Sequence, residues 1–353
     1  MSEYDVDVVI AVHSAARPIK RAVSSVLKDT RAAVRAIVVA HNIDAGEIRT
    51  QLGVFATHPH VHLLALRDGI RSPAGPMNHG LDAATAPYVA LLGSDDEFSP
   101  GAIDAWLAAA RTTGASTVLA RIDRQIAGPD PLPPTRRGRT RELDAVKDRL
   151  AYRSAPLGLI SRSHFPDLRF TPGLGSGEDL EFTAALWFTG SHIAYERTAP
   201  GYFVHEDGDD RVTFAGRSVA QDFAFLRAIT SSSWFPRLGR TQREALGVKV
   251  LRLHLFDAIL LRLQTPEGLT AHRDALESVI ADVSAFAPRA VSLLSRADRA
   301  VLEEMRAEHI DPDRVLQRLS SRWGRSIDAL VPRNPFLVLH RQAPYRTLRA
   351  TVV

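Results

Sequence analysis

Cysteine is absent from this chain, which excludes disulfides, thiolate metal sites and a cysteine nucleophile, and fits a reducing compartment. Lysine is nearly absent: Lys20, Lys28, Lys147 and Lys249 stand alone among 44 basic residues. The rest are arginines, whose planar fork suits contacts to phosphate or carboxylate. No apolar run approaches the roughly 18 residues needed to span a bilayer. The opening Met1-Ser2-Glu3-Tyr4-Asp5 is acidic and runs straight into a strand, so the expectation is a cytoplasmic protein without a membrane-spanning anchor. Aromatic residues are sparse, and none interleaves with the basic cluster Arg136-Arg137-Gly138-Arg139-Thr140-Arg141. Nucleic acid is therefore not expected as a partner. Internal repeats are lacking too, which excludes repeat architectures.

What is present is an ordinary globular composition, 45% hydrophobic and 24% charged, which excludes wholesale disorder. At 353 residues the chain exceeds the roughly 250–300 at which single cores stop growing, so two parts are expected. Residues 5–12 read as an apolar strand, followed by the turn His13-Ser14-Ala15-Ala16-Arg17-Pro18 and a helix through Lys28. Strands at 34–40 and 61–66, with a helix at 45–52 between them, continue an alternation typical of a mostly parallel α/β sheet. A helix from Met77, a strand at 88–92, a helix after Pro100-Gly101 and a strand at 117–122 follow. Residues 128–141, rich in proline and arginine, read as a long surface loop. Amphipathic helical patterns dominate from residue 214, notably at 243–264 and 276–286. The expected division is an α/β domain over 1–213 and a helical region over 214–353.

Two acidic turns stand out. Gly93-Ser94-Asp95-Asp96-Glu97 ends the strand at 88–92, and Gly177-Glu178-Asp179 opens a helical pattern anchored by Leu180, Phe182, Leu186 and Phe188. Glycines at 173, 175 and 177 allow the chain to turn sharply before it. Each acid alone has a structural explanation as a cap or a first-turn charge. Two such turns at element ends of one sheet suggest instead a single site with divided labour. Mg2+ and Mn2+ take oxygen ligands and bridge substrate phosphates, a task that suits Asp95 and Asp96. A carboxylate away from the metal serves as general base when it lies within about 3 Å of a hydroxyl; Asp179 is the candidate and Glu178 the second. Ligands in open α/β sheets bind beyond the strand C-termini, where His13, His41, Asn42 and Asp68 fall.

The chain resembles the nucleotide-sugar-dependent, metal-dependent glycosyltransferases of family 2. The resemblance spans residues 5–213 and rests on four segments in order. They are Val8-Val9-Ile10-Ala11-Val12-His13-Ser14 with Ala22-Val23-Ser24-Ser25-Val26-Leu27; Asn78-His79-Gly80-Leu81-Asp82; Tyr88 through Pro100; and Phe170-Thr171-Pro172-Gly173 through Glu178-Asp179-Leu180-Glu181-Phe182. It implies a GT-A fold, a mixed and mostly parallel sheet flanked by helices, here with a C-terminal helical region. It implies a divalent metal and inverting transfer to a sugar, lipid-linked or other hydroxyl acceptor, with Asp179 as the base. Donor contacts then fall on Ala11, His13, His41, Asn42, Asn78, Ser94, Asp95 and Arg211, and metal contacts on Asp95, with Asp96 as a substitute and His205 as a further ligand.

Departures from the family pattern are specific. Gly93 replaces the first acid of the Asp-x-Asp turn, Ala40-His41-Asn42 replaces acids that read the nucleotide base, and Met77 replaces an arginine, with Arg67 or Arg71 as substitutes for its charge. These departures keep a second reading open, a non-catalytic nucleotide-sugar-binding protein or partner subunit. A dinucleotide-dependent oxidoreductase lacks support because no G-x-G-x-x-G follows the first strand. The helical region shapes the acceptor side or builds a homo-oligomer interface. Arg333, His340, Arg341, Arg346 and Arg349 near its end allow peripheral contact with an anionic membrane.

Overall fold

The computed structural model describes residues 2–206, 216–265 and 267–351. The chain forms two compact units: Met1–Pro131, Arg139–Leu143 and Ser154–Gly216 make the first, and Leu132–Gly138, Asp144–Arg153 and Arg217–Val353 the second.

The first unit is an α/β layer structure. Its strands are β1 (Val6–Val12), β2 (Val34–His41), β3 (Val61–Leu66), β4 (Tyr88–Gly93), β5 (Glu97–Phe98) and β6 (Thr117–Ala120). They continue with β7 (Ile122–Arg124), β8 (Gly128–Pro129), β9 (Gly158–Ser161), β10 (Ala194–Glu196) and β11 (Tyr202–Val204). Seven strands form one sheet in the order β10-β6-β9-β4-β1-β2-β3, and four form a smaller one, β5-β11-β7-β8. β1 runs parallel to both β2 and β4, whereas β9 runs antiparallel to both its neighbours. The near-continuous apolar runs of β1 and β2 suit strands covered on both faces, and Val6, Val8, Val9, Ile10 and Val12 are all buried.

Among its described residues this unit has five α-helices: α1 (Ile19–Leu27), α2 (Ala45–Leu52), α3 (Ala74–Ala83), α4 (Ala102–Thr113) and α5 (Leu180–Thr189). α1 buries Ile19, Ala22, Val23 and Val26, the spacing of one helical face. α3 begins earlier than Met77, straight after Pro73, and ends where Ala84 turns extended. A Cβ on Gly80 would lie 2.3 Å from Val9 Cγ1, so the glycine lets α3 rest directly on β1.

Two expectations need correction. The single strand read at 117–122 is two strands in different sheets; the Arg121 carbonyl between them accepts the Tyr202 N–H at 2.8 Å, which starts the smaller sheet. The stretch 128–141 is not simply a surface loop, because Pro133, Pro134 and Thr135 are buried. Next to them the Arg136 guanidinium grips buried Asp148 at 2.8 and 2.7 Å. Apolar proline rings and a paired arginine there supply packing.

The second unit is helical in its C-terminal portion. Arg240–Lys249, a π-helical stretch Val250–Leu255 and Phe256–Arg262 follow end to end, and Arg273–Phe286 comes after them. Its interior carries charge: fully buried Asp298 accepts from Arg322 Nε at 2.8 Å and lies 3.3 Å from Arg252 Nε. No helix among the described residues is long and apolar enough to cross a membrane.

One polar group is buried deep in the large sheet. Asp7, in β1, is fully buried and accepts from Arg35 Nε at 2.8 Å, Arg35 Nη2 at 2.9 Å, and the N–H groups of Thr85 at 2.6 Å and Ala86 at 2.8 Å. Removing one partner of a buried pair strands the rest without solvent. Asp7→Ala is expected to lower unfolding free energy by about 3–5 kcal/mol in a urea titration; a loss below about 1 kcal/mol, the scale of a surface pair, would contradict this role.

Candidate active site

β1 lies between β4 and β2, so the connections leaving β1 and β4 run to opposite sides and open a crevice beyond their C-terminal ends. Ala11 pairs across with Gly93 at that rim, and exposed His13 follows β1. After Gly93 the acidic turn begins with buried Ser94. Asp95 forms an ion pair with Arg17 from the loop after β1, and its main-chain oxygen accepts from Arg21 in the first turn of α1.

Asp96 faces the smaller sheet. It accepts from the Tyr202 hydroxyl at 2.6 Å and from the His205 N–H at 3.0 Å. The Tyr202 oxygen in turn accepts the Gly93 N–H at 3.0 Å. Burial pushes the Asp96 carboxyl above its usual range, against the opposing effect of the Tyr202 hydrogen bond. Burial, followed by the neighbouring Asp96 charge, pushes the Tyr202 phenol well up. The His205 imidazole is directed to Glu97, with Nε2 3.2 Å from Oε1. A Cβ on Gly93 would lie 2.8 Å from Asp96 Oδ2, 3.1 Å from Asp95 Oδ1 and 3.2 Å from the Tyr202 oxygen. A side chain at position 93 would therefore have to displace the ends of the Asp96, Asp95 and Tyr202 side chains as they are arranged here.

Those contacts bear on the Mg2+ or Mn2+ ion that the resemblance implies. Asp95 is neutralised by Arg17, Asp96 is held by Tyr202 and the His205 main chain, and the His205 ring is turned to Glu97. Among the described residues no three His, Asp or Glu side chains gather where an ion could sit. The donor set as arranged does not fit a protein-built metal site.

A second cluster lies at the ends of β2 and β3. Asp68 Oδ1 lies 2.9 Å from buried His41 Nε2 and accepts from Asn42 Nδ2 at 3.1 Å. Asn42 has a positive φ of 56°, and its side-chain oxygen accepts the N–H groups of Asp68 at 3.1 Å and Gly69 at 2.9 Å. The Ile70 N–H, then His41 and Asn42, lower the Asp68 carboxyl to about 2. An acid from just past β3 thus lies against the residues that end β2.

Asp179 sits at the entrance of α5, half-buried, and its side chain makes no cap to the helix. The capping explanation for an acid at this place is therefore not realised. Its main-chain oxygen is fixed by the Thr183 N–H at 2.8 Å and the Thr183 hydroxyl at 2.7 Å. The preceding loop closes through Thr171 N–H to the Glu178 oxygen at 2.9 Å, with Gly173 and Gly177 at positive φ. Asn78 uses both ends of its amide on the Phe170 main chain, at 2.9 and 2.8 Å. It straps the start of the loop that carries Glu178 and Asp179. Arg211 lies outside the described residues.

Sequence reading missed Arg17 and Arg21; it marked the stretch Tyr202-Phe203-Val204-His205 as resembling the family's late donor-site segment but gave Tyr202 no role of its own. A signal for the arginines exists: α1 has no acid in its first turn but has Lys20 and Arg21 there, where the helix dipole disfavours cations. Arg67, one substitute considered for the missing charge, pairs with exposed Asp44 at 3.2 Å.

Comparison with known proteins fits this geometry. Residues 7–169 match the model of Glycosyl transferase family 2. The Succinoglycan biosynthesis protein ExoO of Rhizobium meliloti (strain 1021) is 26% identical over 335 residues, 87% of this chain and 89% of its own. The structure of S. aureus TarS 1-349 in complex with UDP-GlcNAc is similar with a TM-score of 0.72 at 17% identity, covering 90% of this chain and 91% of that one. TarS 1-349 in complex with UDP gives a TM-score of 0.68 at 16% identity, over 90% of both chains. The resemblance to family 2 read from the motifs holds, and the fold is of the GT-A type.

Two outcomes follow. Gly93→Asp, which restores the family acid, is expected to cost about 1–3 kcal/mol of stability by crowding the turn; an unchanged melting temperature would contradict the packing argument. The Asp68 carboxylate resonance is expected to titrate near pH 2, below the ordinary value of about 3.9. The cluster's contribution to stability is then complete above about pH 4 and lost as pH falls through the lower value. A midpoint near 4 would remove the cluster.

Proposed function

We propose that this chain is a glycosyltransferase that moves a sugar from a nucleoside-diphosphate donor to an acceptor hydroxyl with inversion. The observation that carries the reading is Asp179. Its carboxylate does not cap α5 although it stands at the helix entrance, and its backbone is pinned by Thr183. The donor class is supported by the family match over residues 7–169 and by the UDP-GlcNAc complex of TarS. An acceptor on a growing polysaccharide is supported by the name of the relative ExoO. Exposed Trp323 and Phe336 beside the C-terminal arginines support contact with an anionic membrane surface.

In the proposed reaction the acceptor oxygen attacks the anomeric carbon from the face opposite the nucleotide while Asp179 takes its proton. The new carbon–oxygen bond forms as the bond to the diphosphate breaks, and the electron pair leaves on the diphosphate oxygen. Glu178 shares the helix entrance as the second acid. His41, Asn42 and Asp68 take the nucleoside side of the donor, where the Asp68 carboxylate, held in place by His41 and Asn42, offers an acceptor to base or ribose. Ala11 and Ser94, at the rim of β1 and β4, leave room for the diphosphate.

A general base typically contributes 10²- to 10⁴-fold. Asp179→Asn is therefore expected to lower turnover at least about 100-fold while donor affinity stays unchanged, as measured by donor consumption and calorimetry. Normal turnover in this variant would sink the assignment.

A further inference from the structure

We infer that Arg17 and Arg21 supply, at the donor diphosphate, the positive charge that a divalent cation would otherwise supply, so that the donor binds and reacts without a metal ion. The inference rests on the glycosyl-transfer reading above and concerns the same crevice.

Position is the first argument. Arg17 and Arg21 come from the loop after β1 and the first turn of α1, and both reach Asp95 after β4. They therefore bridge the topological switch of the sheet, where ligands of open α/β folds bind. A groove of about 290 Å³ lies against α1 and is lined by Arg21, Lys28, Asp29 and Glu97, so the Arg21 side of the crevice is open to solvent.

Charge is the second. Two guanidinium groups converge on Asp95, Arg17 on its carboxylate and Arg21 on its main-chain oxygen. Asp96 and Glu97 are directed to Tyr202 and His205. Arg21 lies in the first turn of α1, the end of a helix at which anions bind favourably. Guanidinium forks bind phosphate oxygens in pairs and stay charged throughout, so they stabilise the departing diphosphate without moving a proton.

The third is the closed route to a metal. An ion at Asp95 has to displace Arg17, whose side chain is only 11% exposed. Gly93 cannot be exchanged for a second carboxylate without crowding Asp95 and Asp96. Asp95 thus acts as a positioning residue that holds Arg17 at the crevice until the diphosphate shares it.

Calorimetry of the full chain with UDP and with GDP, in EDTA and in manganese, tests this. One nucleotide is expected to bind in EDTA within about threefold of its affinity in manganese, and more weakly as salt rises. Arg17→Ala and Arg21→Ala are each expected to weaken it at least about tenfold in both buffers, with Arg17→Lys retaining part of the affinity. Binding that requires manganese would overturn the inference and leave the nucleotide-sugar reading intact. Failure of either nucleotide to bind in either buffer would overturn both. The comparison of buffers uses the unaltered protein, so it decides even if the Arg17 variants fail to fold; unchanged affinity in folded Arg17 and Arg21 variants would also overturn it.

Discussion

The buried carboxylate of Asp7 is the contact on which the rest of the first unit depends. It ties β1 to β2 through Arg35 and to the start of β4 through the N–H groups of Thr85 and Ala86. A one-residue slip of a strand would exchange its faces, and here the slip would also strand a buried charge. With the register held at that end, Ala11 meets Gly93 at the other. The loop after β1 then delivers Arg17 onto Asp95. The register at the base of the sheet and the Arg17–Asp95 pair at its rim are two consequences of one alignment.

The rim divides its work between rigid and charged parts. The smaller sheet brings Tyr202 and His205 onto Asp96, and Gly93 leaves space for all three. On the other side of β1, His41, Asn42 and Asp68 form a polar cluster whose acid comes from β3. Asp179 is held by a different device, a short loop closed on itself and strapped to α3 by Asn78. Each acid thereby has a distinct environment.

Much of this was legible in the sequence because parallel strands covered on both faces appear as plain apolar runs. β1, β2, β3 and α2 fall where their patterns place them. The break at Arg121 was not legible, since the run 117–122 reads as one strand and the Tyr202 N–H that takes the Arg121 carbonyl lies far along the chain. The two acidic turns were visible, but the partners of Asp95 and Asp96 lie far away along the chain. Local spacing says nothing about which cation reaches a carboxylate, so Arg67 and Arg71 were considered for the missing charge and Arg17 was not. Asn78 stood out by its motif, yet its strap to Phe170 depends on how α3 lies on β1 through Gly80.

The central claim is that the crevice beyond β1 and β4 holds the nucleoside diphosphate of a sugar donor. A crystal structure of the chain soaked with UDP or GDP tests it most directly. The account predicts phosphate oxygens at the Arg17 guanidinium and the nucleoside beside His41, Asn42 and Asp68. A nucleotide ordered within the second unit, or one that leaves the Arg17–Asp95 pair and the Asp68 cluster untouched, would contradict it.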